Sequence, residues 1–131
     1  MGFLRYTQGV AHRFLFLALI TTALVGYLDH QARLLFWYWE YPWFDVVMHF
    51  LGGVSVASFM IWIHNRLVPQ ASVWVVVLVG LLVVGVSWEI FEWFAKTPTE
   101  ADYVIDTITD LVMDVVGAVL VTGMYFVWKR K

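Results

Sequence analysis

The 131-residue sequence contains no cysteine, which excludes disulfides, thiolate metal sites and cysteine nucleophiles together. Charge is also scarce: Asp, Glu, Lys and Arg make up 14% of residues, against roughly 25% in a soluble domain. No Lys/Arg-rich face exists beyond the terminal Lys129, Arg130 and Lys131, so nucleic-acid binding is not expected. What fills the chain instead is apolar. Hydrophobic residues make up 62% and aromatic ones 18%, and the mean hydropathy is +0.78. This leaves too few polar groups to cover a water-facing surface, so the composition requires the lipid bilayer as a partner. The length fits one domain, residues 1–131.

A hydrocarbon core about 30 Å thick takes about 20 mostly apolar residues as helix. Phe44 to Ile63, Val73 to Phe94 and Thr107 to Trp128 meet that test. Phe14 to Leu28 is shorter and follows Arg5 and Arg13, as a signal-peptide core would. No small-x-small cleavage site follows before Asp29, so it reads as a signal anchor. The expected architecture is all-α: a four-helix transmembrane bundle with spans at about 12–29, 44–63, 73–94 and 107–128. The connections are too brief to link separate domains.

Basic residues in short loops set orientation. Arg5, Arg13, Arg66, Lys129, Arg130 and Lys131 fall on one side of this topology, and only Arg33 and Lys96 on the other. The sequence thus predicts a multi-pass protein of the inner (cytoplasmic) membrane with both termini cytoplasmic. The first exterior loop carries Phe36, Trp37, Tyr38, Trp39, Tyr41, Trp43 and Phe44. Trp and Tyr favour the headgroup level, because their rings are apolar and their polar tips need a wet partner. This segment is expected to lie in the outer interface.

The acids all fall in outer loops or in the outer halves of spans. Asp45 and His49 share one face at the start of the second span, and Gly52 and Gly53 continue it. Glu89 and Glu92 close the third span. Asp106, Asp110 and Asp114 open the fourth at successive i, i+4 positions. Because these helices alternate in direction, all three groups arrive at matching depth. Left unpaired, Asp45, Glu89, Glu92, Asp110 and Asp114 would together cost on the order of 10 kcal/mol in the bilayer. Protonation or bound cations can remove that cost. Carboxylates with one imidazole form a ligand set for one or two divalent ions: oxygen donors favour Mg, Ca or Mn, and the imidazole shifts the balance toward Mn, Fe or Zn. The predicted metal ligands are Asp45, His49, Glu89, Glu92, Asp110 and Asp114.

Simpler roles compete at several positions. Asp106 is read first as a helix N-cap, with Thr107 and Asp110 resembling a capping box. Glu92 is also placed to pair with Lys96 at i+4. A protonated, hydrogen-bonded network is the structural alternative for the core set. His12, His30 and His64 lie at membrane boundaries and are expected to be solvated. Gly52, Gly53, Gly80, Gly85, Gly117 and Gly123 are expected to permit close helix approach.

Three stretches, FDVVMHFLGG, WEIFEWF and IDTITDLVMDVVGA, occur in that order at the ends of successive spans. As a set they resemble the uncharacterised YjdF-type inner-membrane family. Asp45, His49, Phe50 and Gly52 match its first motif, Glu89, Glu92 and Trp93 its second, and Asp106, Thr107 and Asp110 its third. The third departs from the family in spacing, and Ile105 stands where a tryptophan is expected. The chain is more distantly similar to VanZ-like membrane proteins, which also place a His, a Glu and an Asp near successive helix ends. The resemblance spans about residues 44–118 and implies no established activity.

The leading functional expectation is a metal site facing the exterior, acting as a metal-dependent hydrolase on a lipid or another interfacial small molecule. Glu89 or Glu92 would serve as its catalytic general base. One alternative is a proton or cation transporter subunit. The inner part of the third span, VWVVVLVGLLVVG, offers no polar group to a pathway, so a pore would need a homo-oligomer. The other alternative is a non-enzymatic accessory or resistance protein whose polar cluster is structural.

Overall fold

A computed structural model describes the backbone of residues 2–95 and 103–129, and the side chains of residues 9–94 and 104–129. Arg5, Lys96, Arg130 and Lys131, which contributed to the charge asymmetry, have side chains outside these ranges. Among the described residues there are five helices and no strand: α1 (Gly2–Leu34), α2 (Trp37–Glu40), α3 (Trp43–Leu67), α4 (Val73–Ala95) and α5 (Tyr103–Lys129). Four of them contain segments long and apolar enough to cross a membrane, at Gly9–Leu34, Trp43–Leu67, Val73–Phe94 and Val104–Lys129.

The first span runs beyond the expected Leu28, and the reason is local. Past Leu28 the chain reads DHQAR, which is polar enough to end a hydropathy window but contains nothing that breaks a helix. Arg33 Nε donates to both Asp29 carboxylate oxygens at 3.0 Å across one turn, and Tyr38 Oη donates to Asp29 Oδ1 at 2.9 Å. The helix therefore continues to Leu34. It turns at Phe36, whose φ of 60° is the one positive value among the described non-glycine residues, and the single turn of α2 follows. The aromatic segment is thus partly helical, and Trp37, Tyr38 and Trp43 each pack against Phe44 with ring centroids 5.4–6.3 Å apart.

Helix α3 is the axis of the bundle. Helices α1, α4 and α5 pack around it, and α1 and α4 rest on α3 rather than on each other. Small residues set the spacing. Ala11, Ala18 and Ala32 are buried on α1, and the backbones of α3 and α5 meet at two glycines. A Cβ on Gly53 would strike the Asp114 carbonyl, and one on Gly117 would strike the Phe50 carbonyl. Gly80 makes room for the Met60 side chain. Gly123, expected to serve the same purpose, has open space beside it and is not a contact point.

The main core, built from Phe14, Val54, Ile61, Val77, Leu81, Val121 and Tyr125 among others, fills the half of the bundle bearing the ends of α3 and α5. That end carries Arg13, Arg66 and Lys129 and is called the basic end below. His64 lies there, buried, with its ring edge-on to Tyr125 at 6.2 Å. This corrects the solvated role expected of it, because Tyr125 of α5 covers the position. His12 and His30 are exposed as expected.

Candidate metal centre at the acidic end

At the opposite end, the starts of α3 and α5 and the finish of α4 bring the sequence-predicted acids together. The close α3–α5 approach at Gly53 and Gly117 places the α5 carboxylates against His49. Its ring stands between two of them: Nε2 lies 3.7 Å from Asp110 Oδ2 and Nδ1 lies 3.6 Å from Asp114 Oδ1. Both distances exceed the hydrogen-bond range. The space around Asp114 is kept by glycine, since a Cβ on Gly52 would come within 3.5 Å of its Oδ1 and one on Gly85 within 3.1 Å of its Oδ2.

Ligand-type atoms of Asp45, His49 and Asp110 lie within 4.8 Å of one another, as do those of His49, Glu89 and Glu92. His49 is common to both groups, so four of the predicted carboxylate ligands gather around its imidazole. Asp114 faces the other ring nitrogen. Asp110 is 1% exposed, and neither of its carboxylate oxygens has a hydrogen-bond partner among the described residues. Buried carboxylates without partners are rare because desolvation penalises them heavily.

Two expected roles change. Helix α5 starts at Tyr103, so Asp106 lies within its first turn and is not the N-cap. An acid there still complements the partial positive charge of the helix start. Thr107 does not form a capping box: its Oγ1 donates to Glu89 Oε2 at 2.8 Å, tying α5 to α4. The spacing of Thr107 pointed only to its own helix, and no one-dimensional signal reveals the cross-helix bond. The pairing expected between Glu92 and Lys96 lies outside the described residues.

A cavity of about 340 Å³ reaches the cluster from between α1 and α4, with Asp29, Tyr38, Asp45, His49, Trp88 and Asp114 around its polar part. Burial, and then the hydrogen bond to Asp29, push the Tyr38 hydroxyl well above its ordinary value.

The sequence matches the family described as "Predicted membrane protein (DUF2238)" over residues 5–131. The chain belongs to the DUF2238 family. YjdF-type proteins fall in this family, so the resemblance carried by the three stretches agrees with the match at family level. The four candidate spans and the family together make this a multi-pass membrane protein. Comparison with curated proteins and with solved structures gives no match.

Proposed function

We propose that the acidic end is an intramembrane divalent-cation site, and that it acts as a metal-dependent hydrolase on a lipid or other interfacial substrate. The observation that carries this reading is Asp110, a carboxylate 1% exposed with neither oxygen hydrogen-bonded among the described residues, facing His49 Nε2. Two donors each about 2.1 Å from a tetrahedral ion stand roughly 3.4 Å apart, close to the 3.7 Å between His49 Nε2 and Asp110 Oδ2. The mixed oxygen and imidazole set favours Mn, Fe or Zn over Mg.

In this reading Asp110 and His49 hold the ion, joined by Asp45 or by the Glu89 and Glu92 pair. Asp114, on the far side of the imidazole, orients the ring from behind, as carboxylates behind metal-bound histidines do. A bound divalent ion supplies Lewis acidity. Glu89 accepts a hydrogen bond from Thr107, and Glu89 or Glu92 would accept a proton from the attacking water. The basic residues Arg13, Arg66 and Lys129 at the other end support an orientation with both termini cytoplasmic in an inner membrane and the site toward the exterior. Kinship with VanZ-like proteins rests on the placement of His49, Glu89 and Asp110 near successive helix ends.

Transport is favoured less. The hydroxyls of Thr21, Ser58 and Thr122 donate to carbonyls of their own helices, and Val54, Ala57, Leu81 and Val121 pack between the cluster and the basic end. The test is elemental analysis of detergent-purified protein after exhaustive dialysis, with and without reloading by Mn, Zn or Fe. A stoichiometric ion is expected in the native chain and its loss in the Asp45→Asn, Asp110→Asn double variant. A native chain that takes up no ion after reloading overturns the reading.

A further inference from the structure

The cavity that meets the cluster does not end there. A second cavity of about 340 Å³ adjoins it along α3 and shares Thr22, Ser55, Val56 and Val84 with the first. Beyond these four it is bounded by Phe59, Met60, Val79, Gly80 and Val83. The two form one groove whose floor is α3 and whose walls are α1 and α4, the pair of helices that pack on α3 rather than on each other. From Asp45 to Met60 the floor rises about 22 Å at about 1.5 Å per residue. The groove faces the lipid side of the bundle, is apolar over most of its length, carries the mutually bonded Thr22 and Ser55 hydroxyls midway and has its ionisable groups at one end only. That is the shape of a single extended hydrocarbon chain with a polar head.

The polar end selects the head. Asp29, Asp45 and Asp114 contribute three carboxylates to it against the one imidazole of His49, and Tyr38 and Trp88 contribute two aromatic rings. Arg33, the cation nearest in sequence, is bound to Asp29 and is not among the groove-lining residues. Carboxylates attract an ammonium group, and aromatic faces bind it through their quadrupoles, more strongly where water is excluded. An anionic head would meet like charge in a site already rich in acids. We infer that the groove between α1 and α4 binds a single-chain amphiphile with an ammonium head, its chain lying along α3 toward Met60 and its head among Asp29, Asp45, Asp114, Tyr38 and Trp88.

This goes beyond the divalent-cation reading: Asp45 and His49 are common to both, whereas Asp110, Glu89 and Glu92 do not line the groove. The occupant reaches the site sideways from the bilayer, driven by burial of its chain, and the carboxylates and rings then retain the head.

The test uses the full chain in a neutral maltoside detergent with EDTA present, so that no metal contributes. The probe is a hexadecylammonium carrying a mid-chain diazirine, and adducts are mapped by mass spectrometry. Adducts are expected on groove residues such as Thr22 and Val84. Unlabelled hexadecylammonium is expected to displace the probe at a concentration about tenfold lower than hexadecyl phosphate does. Val84→Trp fills the groove from a half-exposed position and should abolish groove adducts, while Asp45→Asn should weaken binding about tenfold. Asp110→Asn should leave probe binding intact while removing metal uptake, so the two readings can fail separately. Equal displacement by hexadecyl phosphate overturns the inference. So do adducts spread along the lipid-facing side of α4 at Val75, Leu82 and Val86 that are indifferent to Val84→Trp, and so does loss of probe binding in Asp110→Asn.

Discussion

Asp110 is a carboxylate whose contribution to stability should change sign with its surroundings. With the site stripped, a buried charge lacking hydrogen bonds opposes folding, and Asp110→Asn relieves that cost. With an ion bound, the same substitution removes a ligand. Asp110→Asn is therefore expected to stabilise the chelator-treated protein by about 1–3 kcal/mol and to destabilise the protein reloaded with Mn or Zn. Thermal unfolding of both proteins in both conditions checks this, and a shift of the same sign in each would argue for a purely structural carboxylate. Tyr38 makes a second prediction at this scale. Burial and the bond to Asp29 raise its hydroxyl above the ordinary value of 10.0. Between about pH 10 and the raised value, the folded chain holds a proton that the unfolded chain has released. Stability contributed by this group is thus complete below about pH 10 and declines as pH rises above it. Denaturant titrations of native protein and Tyr38→Phe should show a shallower decline in the variant above that pH. Parallel curves would exclude the buried tyrosine as the source.

Among the elements, the α3–α5 contact decides whether a site exists. Carbonyl groups of Phe50 and Asp114 occupy the space where side chains at Gly117 and Gly53 would stand. Neither neighbour is a flexible side chain that could swing away, so the helices must separate to admit even a methyl group. Gly53→Ala and Gly117→Ala are each expected to cost about 1–3 kcal/mol and to lower metal uptake by moving Asp110 and Asp114 away from His49. Gly123→Ala, with open space around it, is the matched control and should leave metal uptake unchanged while raising stability by up to about 1 kcal/mol through helix propensity. Much of this element-level organisation is legible in the sequence. Asp45 with His49, Glu89 with Glu92, and Asp106 with Asp110 and Asp114 announce themselves by helical spacing, and alternating helix directions place them at one end. Helix length was less legible, because polarity after Leu28 ends a hydropathy window whereas the Asp29–Arg33 pair keeps the helix intact. The bond between Thr107 and Glu89 was not legible at all, since it joins residues on two helices whose rotation about their own axes the sequence does not fix.

For the whole molecule, the basic and acidic ends imply an orientation, and the absence of cysteine makes it directly testable. Single cysteines at Glu40 and at Arg66, both exposed, should react oppositely with a membrane-impermeant maleimide added to intact cells. Glu40→Cys is expected to label and Arg66→Cys to remain protected until the membrane is opened. The reverse pattern would turn the site toward the cytoplasm.

The division between what sequence and tertiary structure decide follows from the range of the forces involved. Composition, hydropathy and i, i+4 spacing depend on neighbours along one helix. From them alone follow a membrane protein, four spans, an acidic end opposed to a basic one and the candidate ligands Asp45, His49, Glu89, Glu92, Asp110 and Asp114. How those ligands are grouped depends on which helices touch and how each is rotated. Close packing at Gly53 and Gly117 settles that for α3 and α5 and puts His49 between Asp110 and Asp114, while the separation of α1 from α4 opens the groove. Both are properties of helix pairs, and no single helix encodes them.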